Sequence, residues 1–310
     1  MAYSSSFLSI DLHIHSTASD GSLSPGEILL RASAAGLYAL AITDHDTLDG
    51  VREVMAGGIP DSPCFVTGVE ISSAPHPDIP CRGSLHILGY GIDVTHQGLS
   101  DQLSSLQQAR AGRNPAIIEK LNRMGIAVTI EEVEAVAKGG QAGRPHVADV
   151  LVRKGLVRDI DEAFNRYLGV GKPAYVDKYR VPFKEAVSLI HSAGGVAVLA
   201  HPGLVHPLGS MPVEGLIGRL AEEGLDGLEV YYPEHDAGRT MEFERLADRL
   251  GLLMTGGTDF HGELKPSIEI GYGDGGFSVP DRCFHDLVSR LNRDTDADPR
   301  STARLKTRRA

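Results

Sequence analysis

Apolar and polar positions follow two periods along this chain, and the switches between them mark its organisation. Near the N-terminus Ile10, Leu12 and Ile14 alternate with Asp11, His13 and His15, a period of two that predicts a strand. Ser24-Pro25-Gly26-Glu27 then carries a helix-start signature, with Ser at the N-cap, Pro at the first helical position and Glu at the third. The helix continues through Ile28, Leu29, Ala32 and Ala35, and Gly36 ends it. LYALAIT is a second strand, residues 49–56 a short helix, and FVTGVEIS and LHILGYGID the third and fourth strands. This strand-helix rhythm predicts parallel strands joined by helical crossovers.

The rhythm breaks near Thr95. From there to about Leu168, Leu99, Leu103, Leu106, Ile117, Ile118 and Leu121 recur at helical spacing, and further helices open at Thr129 and near His146. Residues 98–180 therefore read as a helical insertion between two parts of one α/β domain, 7–97 and 181–292. The second part runs as a helix over 182–193, the strand VAVLAHP, a helix over 213–223, the strand GLEVYY, a helix over 237–250, the strand LLMTGGTD and a last helix over 281–291. Residues 293–310 contain almost no large apolar side chain and are predicted to be disordered, with a basic end of unassigned role.

Composition narrows the function classes. A chain of 310 residues can bury one large α/β core. Its formal charge of −11 argues against a broad nucleic-acid surface and against duplex DNA as a ligand. A phosphate substrate stays open, because bound cations reverse the local sign. Cys64, Cys81 and Cys283 form no C-x-x-C pair and fit lone thiols in a reducing compartment. No signal region and no apolar run of spanning length stand out, so a cytoplasmic protein without membrane association is expected.

The candidate chemistry lies where apolar runs stop. His13 and His15 end the first strand, and residues i and i+2 of a strand face the same way, so the pair can grip one cation. Asp20 precedes Gly21 in a turn close behind them. His45 follows the second strand in Thr43-Asp44-His45-Asp46, where either Asp is a possible ligand, imidazole support or helix cap. Glu70, His86 and His201 end or open further apolar runs, and Asp259 with His261 repeats the i, i+2 pattern near the far end. One such residue is unremarkable. Repeated at six places, the pattern implies a shared cluster of imidazoles and carboxylates, the ligand set of divalent transition metals. Arg144, in AGRPHVA at a helix start, offers a planar fork of donors suited to phosphate, with His146 beside it. Lys172 and His206 are weaker phosphate-contact candidates, and Asp44 a further substrate contact.

The ordered stretches DLHIHSTASDGSLSP, ITDHDTLDG, GVEIS, LHILGYG, GRPHVADVLV, YLGVGKPAYV, LAHPG and GGTDFHG resemble the PHP (polymerase and histidinol phosphatase) family of metal-dependent phosphoesterases. The resemblance spans residues 8 to about 290, and the long insertion with GRPH is most similar to the stand-alone nucleotide phosphoesterase branch. It implies a distorted (β/α)7 barrel with two or three divalent metals at the C-terminal mouth of its strands, Mn first, with Fe or Zn as alternatives. It implies that His13, His15, Glu70 and Asp259 hold one metal. Glu70, His86 and His201 would hold a second, and Asp20, His45 and His261 a third. The implied activity is that of a 3',5'-nucleoside bisphosphate phosphatase or a 5'-to-3' exoribonuclease, acting on a small nucleotide or the end of a single-stranded RNA.

A water shared by such cations loses its proton near neutral pH, and the hydroxide attacks phosphorus in line. Asp259 is expected to take the nucleophile's proton, His201 or a metal-bound water to protonate the leaving group, and Arg144 to clamp the phosphate, with the insertion covering the mouth. Three other readings compete. A histidinol-phosphate phosphatase would not need the long insertion. An amidohydrolase of C–N or C–O bonds would commonly carry a Lys on a middle strand, and none ends one here. A non-catalytic metal-binding module would be expected to have lost ligands. The oligomeric state is open.

Overall fold

The computed structural model describes residues 9–59, 61–79, 81–82, 85–137, 143–274, 276–295 and 305–306. It divides into two compact units, Met1–Leu103 with Val181–Ala310, and Ser104–Arg180.

In the first unit, among the described residues, the main path of the sheet runs through β1 (Ile10–Ile14), β2 (Ala39–Ile42), β3 (Cys64–Ser73), β4 (Leu85–Tyr90), β5 (Val196–Leu199), β6 (Gly227–Tyr231) and β7 (Leu253–Gly256), hydrogen-bonded side by side in that order. The described strand positions are almost all buried, which explains why several read as unbroken apolar runs. Pairing is parallel from β1 to β3 and from β5 to β7. It is antiparallel on both sides of β4. The expected run of parallel strands is thus corrected at β4. The link from β3 to β4 contains no helix among its described residues, and a parallel return would need a crossover of about a dozen residues or more. His86 consequently sits at the start of its strand, at the same end as the terminal residues of its neighbours: Ser72 pairs with His86, and Ala200 N–H donates to His86 O.

The curled sheet returns on itself. Ile14 bridges in parallel to Phe260 just beyond β7, and His15 N–H donates to Phe260 O at 3.0 Å. Asp11 fastens this seam from inside. Its fully buried carboxylate accepts from Thr258 N at 2.9 Å, Thr258 Oγ1 at 2.6 Å, Gly271 N at 2.8 Å and His13 N at 3.2 Å. Burial nevertheless dominates and pushes its pKa up to about 6.

Helices α1 (Pro25–Ala34) and α2 (Asp49–Gly57) pack Ile28, Ala32, Val51 and Val54 against Ile14, Leu40, Ile42 and Phe65. The expected cap of α1 is a reciprocal box, Glu27 N–H to Ser24 Oγ at 3.3 Å and Ser24 N–H to the Glu27 carboxylate at 2.8 Å. The chain continues through α3 (Gln97–Arg123), which crosses the boundary between the units.

The second unit adds α4 (Ile130–Ala137), α5 (Arg144–Arg153) and α6 (Ile160–Ala163), which runs on into a π-turn over Phe164–Leu168. Ile117, Leu121, Val133, Val147, Leu151 and Leu168 make its own core. Helices α7 (Phe183–Ser192), α8 (Val213–Glu222), α9 (Ala237–Leu250) and α10 (Arg282–Thr295) complete the first unit.

The tail expected to be disordered from residue 293 begins inside α10, which reaches Thr295, and Leu305–Lys306 pair antiparallel with Phe65–Val66. The rest of that tail lies outside the described residues. No helix among the described residues is long and apolar enough to cross a membrane.

Candidate metal centre

The nine candidate ligands come from six strands and meet at one end of the sheet. β1 carries His13, His15 follows its last residue, and the next loop holds Asp20. His45 follows β2, Glu70 lies in β3, His86 opens β4, His201 follows β5, and Asp259 and His261 follow β7. Three of the turns need unusual backbone. Asp46 (φ 54°), His201 (φ 29°) and Asp259 (φ 52°) adopt the left-handed region without being glycine. At β7 a glycine is required for a different reason: a Cβ on Gly257 would fall 2.3 Å from His13 N.

Glu70 is the hub, fully buried with its two oxygens facing different imidazoles. Oε1 lies 2.8 Å from His86 Nδ1 and 3.1 Å from His201 Nε2. Oε2 lies 2.9 Å from His45 Nδ1, 3.2 Å from His15 Nε2 and 3.4 Å from His13 Nε2. Asp259 Oδ1 approaches His15 Nε2 at 3.1 Å and His13 Nε2 at 3.5 Å. Asp20 lies 3.4 Å from His261 Nε2, 3.7 Å from His15 Nδ1 and 3.8 Å from His45 Nε2.

These contacts do not satisfy the groups that make them. His15 Nδ1, Asp20 Oδ1, His45 Nδ1, Glu70 Oε2, His86 Nε2 and His201 Nδ1 are buried without a hydrogen-bond partner. An orphaned buried polar group costs about 1–3 kcal/mol, so six in one place demand a compensating ligand. Lone pairs of nitrogen and carboxylate oxygen converging on common points fit divalent cations. Three groups have ligand atoms within 4.8 Å of one another: His15, Asp20, His45 and His261; His13, His15 and Glu70; His45, Glu70 and His86.

The electrostatics agree. Burial alone would lower the pKa of His13 and His15. The carboxylates of Glu229, Glu70 and Asp259 outweigh it for His13, and those of Asp259 and Glu70 lift His15 to about 9. Glu70 and Asp259 lie well below the carboxylate range, because the surrounding imidazoles overcome their burial. At His86 burial wins over Glu70 and pushes the pKa down to about 4. The cluster holds its carboxylates ionised by placing positive charge among them, the position a cation takes by displacing protons.

Several supporting residues were not singled out from the sequence. Glu229, in the middle of β6, accepts His13 Nδ1–H at 2.8 Å and His201 N–H at 2.6 Å. It thereby fixes the tautomer that turns the His13 Nε2 lone pair into the cluster. The signal was a Glu inside the apolar run GLEVYY. Tyr232 donates to Asp259 Oδ2 at 3.0 Å, and Lys265 Nζ lies 2.6 Å from the same oxygen. His235 donates from Nδ1 to Val230 O and accepts Gly203 N–H on Nε2 at 3.2 Å, steadying the turn after His201.

Asp44, expected as a substrate contact, is completely buried and accepts from Ser16 N, Ser16 Oγ and Ser19 Oγ, each at 2.7 Å. Its role is corrected to holding the loop between His15 and Asp20. Asp46 does the same for β3, accepting from Ser72 N at 2.7 Å and Ser72 Oγ at 2.9 Å. His206 is exposed in a short ladder with Cys81–Arg82.

The remaining candidates lie in the helical unit. Arg144 donates to Leu168 O at 3.2 Å and lies over the rings of Phe164 and Tyr175. His146 Nδ1 accepts Gly143 N–H at 3.0 Å, capping its own helix, and Lys172 is exposed.

Comparison with known proteins places this geometry. The PHP domain family model matches residues 11–173. A 3',5'-nucleoside bisphosphate phosphatase of Chromobacterium violaceum is 34% identical over 291 residues, covering 93% of this chain and 99% of its own. A 5'-3' exoribonuclease of Haemophilus influenzae is 38% identical over 255 residues, covering 81% and 89%. A solved structure of an amidohydrolase from Chromobacterium violaceum, with bound sulfate and no metal, is 34% identical, covers 91% of this chain and 96% of its own, and superposes with a TM-score of 0.70.

Proposed function

The chain belongs to the PHP domain family, and we propose that it is a metal-dependent phosphoesterase acting on nucleotides, with a nucleoside 3',5'-bisphosphate as substrate. The observation that carries the reading is Glu70, whose two carboxylate oxygens face two sets of imidazoles as a bridging ligand would. His13, His15 and Asp259 join Glu70 on one side, His86 and His201 on another, and Asp20, His45 and His261 complete the set. Manganese is the proposed metal on the family resemblance, and the nitrogen and oxygen donor set also admits iron or zinc. When bound, such cations acidify a water and neutralise phosphoryl charge.

The chain's own residues supply orientation and proton handling. Glu229 keeps His13 and the His201 backbone in register. Asp259 keeps one oxygen toward His13 and His15 and is the proposed acceptor of the nucleophile's proton. His201, 6% exposed at the rim of the cluster, is the proposed donor to the leaving oxygen. Arg144 is the proposed phosphate clamp, its guanidinium lying over the rings of Phe164 and Tyr175.

The exoribonuclease name of a second relative makes the 5' end of RNA the competing substrate. Three unbridged cysteines, two of them buried, fit a reducing, cytoplasmic setting. The test measures phosphate release from adenosine 3',5'-bisphosphate and nucleotide release from short 5'-phosphorylated RNA, each with Mn and with chelator. Phosphate release from the bisphosphate that chelator abolishes is expected. Turnover of RNA alone would reassign the substrate, and metal-loaded protein inert on both would refute the reading.

A further inference from the structure

Lys265 has no part in the ligand cluster, yet it reaches it. It follows the 3-10 turn Gly262–Leu264 that continues from His261, and Lys265 N–H donates to Gly262 O at 3.0 Å. Its ammonium lies 2.6 Å from Asp259 Oδ2, the oxygen turned away from His13 and His15 and already bonded by Tyr232 OH. Among the ion pairs of the described residues, this is the one that brings a Lys or Arg to a candidate ligand.

Tyr232 alone already gives Asp259 Oδ2 a buried donor, so the carboxylate does not need an ammonium for hydrogen bonding. Lys265 is also built differently from Tyr232. The phenol is almost wholly buried, whereas 36% of the lysine side chain is open to solvent. An ammonium has three N–H donors, and Asp259 takes one, leaving two for a ligand entering from the open side. The unbranched stem lets the group shift by an ångström or two without disturbing the barrel. One carboxylate separates it from the point where His13, His15 and Glu70 converge.

On the phosphoesterase reading above, we propose that Lys265 is a substrate-binding residue that donates to a non-bridging oxygen of the phosphoryl group. The barrel then supplies its own cation to the substrate from within the His261 loop, apart from anything contributed by the helical unit. The contact exists both before and during the reaction, so its loss raises KM more than it lowers kcat.

The experiment uses the full chain as wild type, Lys265→Met and Lys265→Arg, all loaded with Mn, with metal content and Tm measured first. Binding of inorganic phosphate is followed by calorimetry, which needs no turnover, and KM and kcat on adenosine 3',5'-bisphosphate by phosphate release. The proposal expects metal content equal to wild type, phosphate binding weakened about 10- to 100-fold in the Met variant, a parallel rise in KM, and partial recovery in the Arg variant. Unchanged phosphate affinity in the Met variant overturns it. So does loss of metal with phosphate affinity intact once metal is resupplied, since Lys265 would then serve only Asp259. If wild type releases phosphate from no ester, the function reading falls, and the calorimetry still decides whether Lys265 binds phosphate.

Discussion

Replacing Glu229 by Gln tests whether the cluster depends on a residue that touches no metal. The two side chains have the same shape, but Glu229 accepts two N–H donors, His13 Nδ1–H at 2.8 Å and His201 N–H at 2.6 Å. An amide has one oxygen. Placed toward His13, it leaves NH2 against the His201 N–H, donor to donor. Placed toward His201, it drives His13 to protonate Nε2 and turns a lone pair away from the cluster. The first placement loses a hydrogen bond between fully buried groups, worth about 1–3 kcal/mol, and the second keeps both bonds but takes the His13 lone pair from the cluster. Orienting partners of metal-bound imidazoles typically contribute 10- to 100-fold in metal affinity or activity, and about that loss is expected here. Competition with a chromophoric chelator measures the affinity, and urea unfolding with excess metal separates folding from binding. A Glu229→Gln protein with wild-type Mn affinity and wild-type turnover would show that His13 needs no orientation and would refute the assignment.

Three further outcomes follow from the same geometry. Chelator-treated protein should gain thermal stability on titration with Mn, by about 2.7 kcal/mol when free metal reaches a hundredfold excess over Kd. Because the His15 pKa lies at about 9, this binding should release protons, seen as a buffer-dependent calorimetric heat; a heat independent of buffer would contradict it. Asp11 has its folded pKa raised to about 6 from 3.8, so its contribution to stability is complete below the unfolded value and is lost as pH rises through 6. Wild type minus Asp11→Asn should therefore change by on the order of 3 kcal/mol between pH 4 and 7 in urea unfolding, and a pH-independent difference would sink the argument. Gly257→Ala would press a methyl group to 2.3 Å from His13 N, and loss of metal binding or of soluble folded protein is expected; a fully metallated variant would mean that β7 can yield there.

The candidate ligands stood out because each interrupts or ends an apolar run, a place where an unpaired polar group is too costly to tolerate by chance. Their convergence was legible only through repetition, since no single His announces a partner a hundred residues away. Glu229 and Asp11 went unread for the opposite reason. Each sits inside a strand whose neighbours are buried, and the donors that justify it, His201 N–H and Gly271 N–H, are backbone groups that every sequence has. Asp44 was misread because a carboxylate beside a ligand looks the same whether it faces substrate or, as here, Ser16 and Ser19. The reversal of β4 was hidden because its alternation is equally good in either direction. Only the helix-free link before it carried the information.

Positive φ at Asp46, His201 and Asp259 has a consequence for anyone who would improve this protein. Non-glycine residues in that region cost about 1–3 kcal/mol each when nothing else compensates, a large share of the 5–15 kcal/mol that keeps a domain folded. A library sorted for heat tolerance without cations would therefore be drawn to glycine first at His201, since Ser72 holds the Asp46 carboxylate and Tyr232 with Lys265 holds that of Asp259. The winners would be sturdier scaffolds with an inert mouth, so selection for robustness here has to be run in the presence of metal.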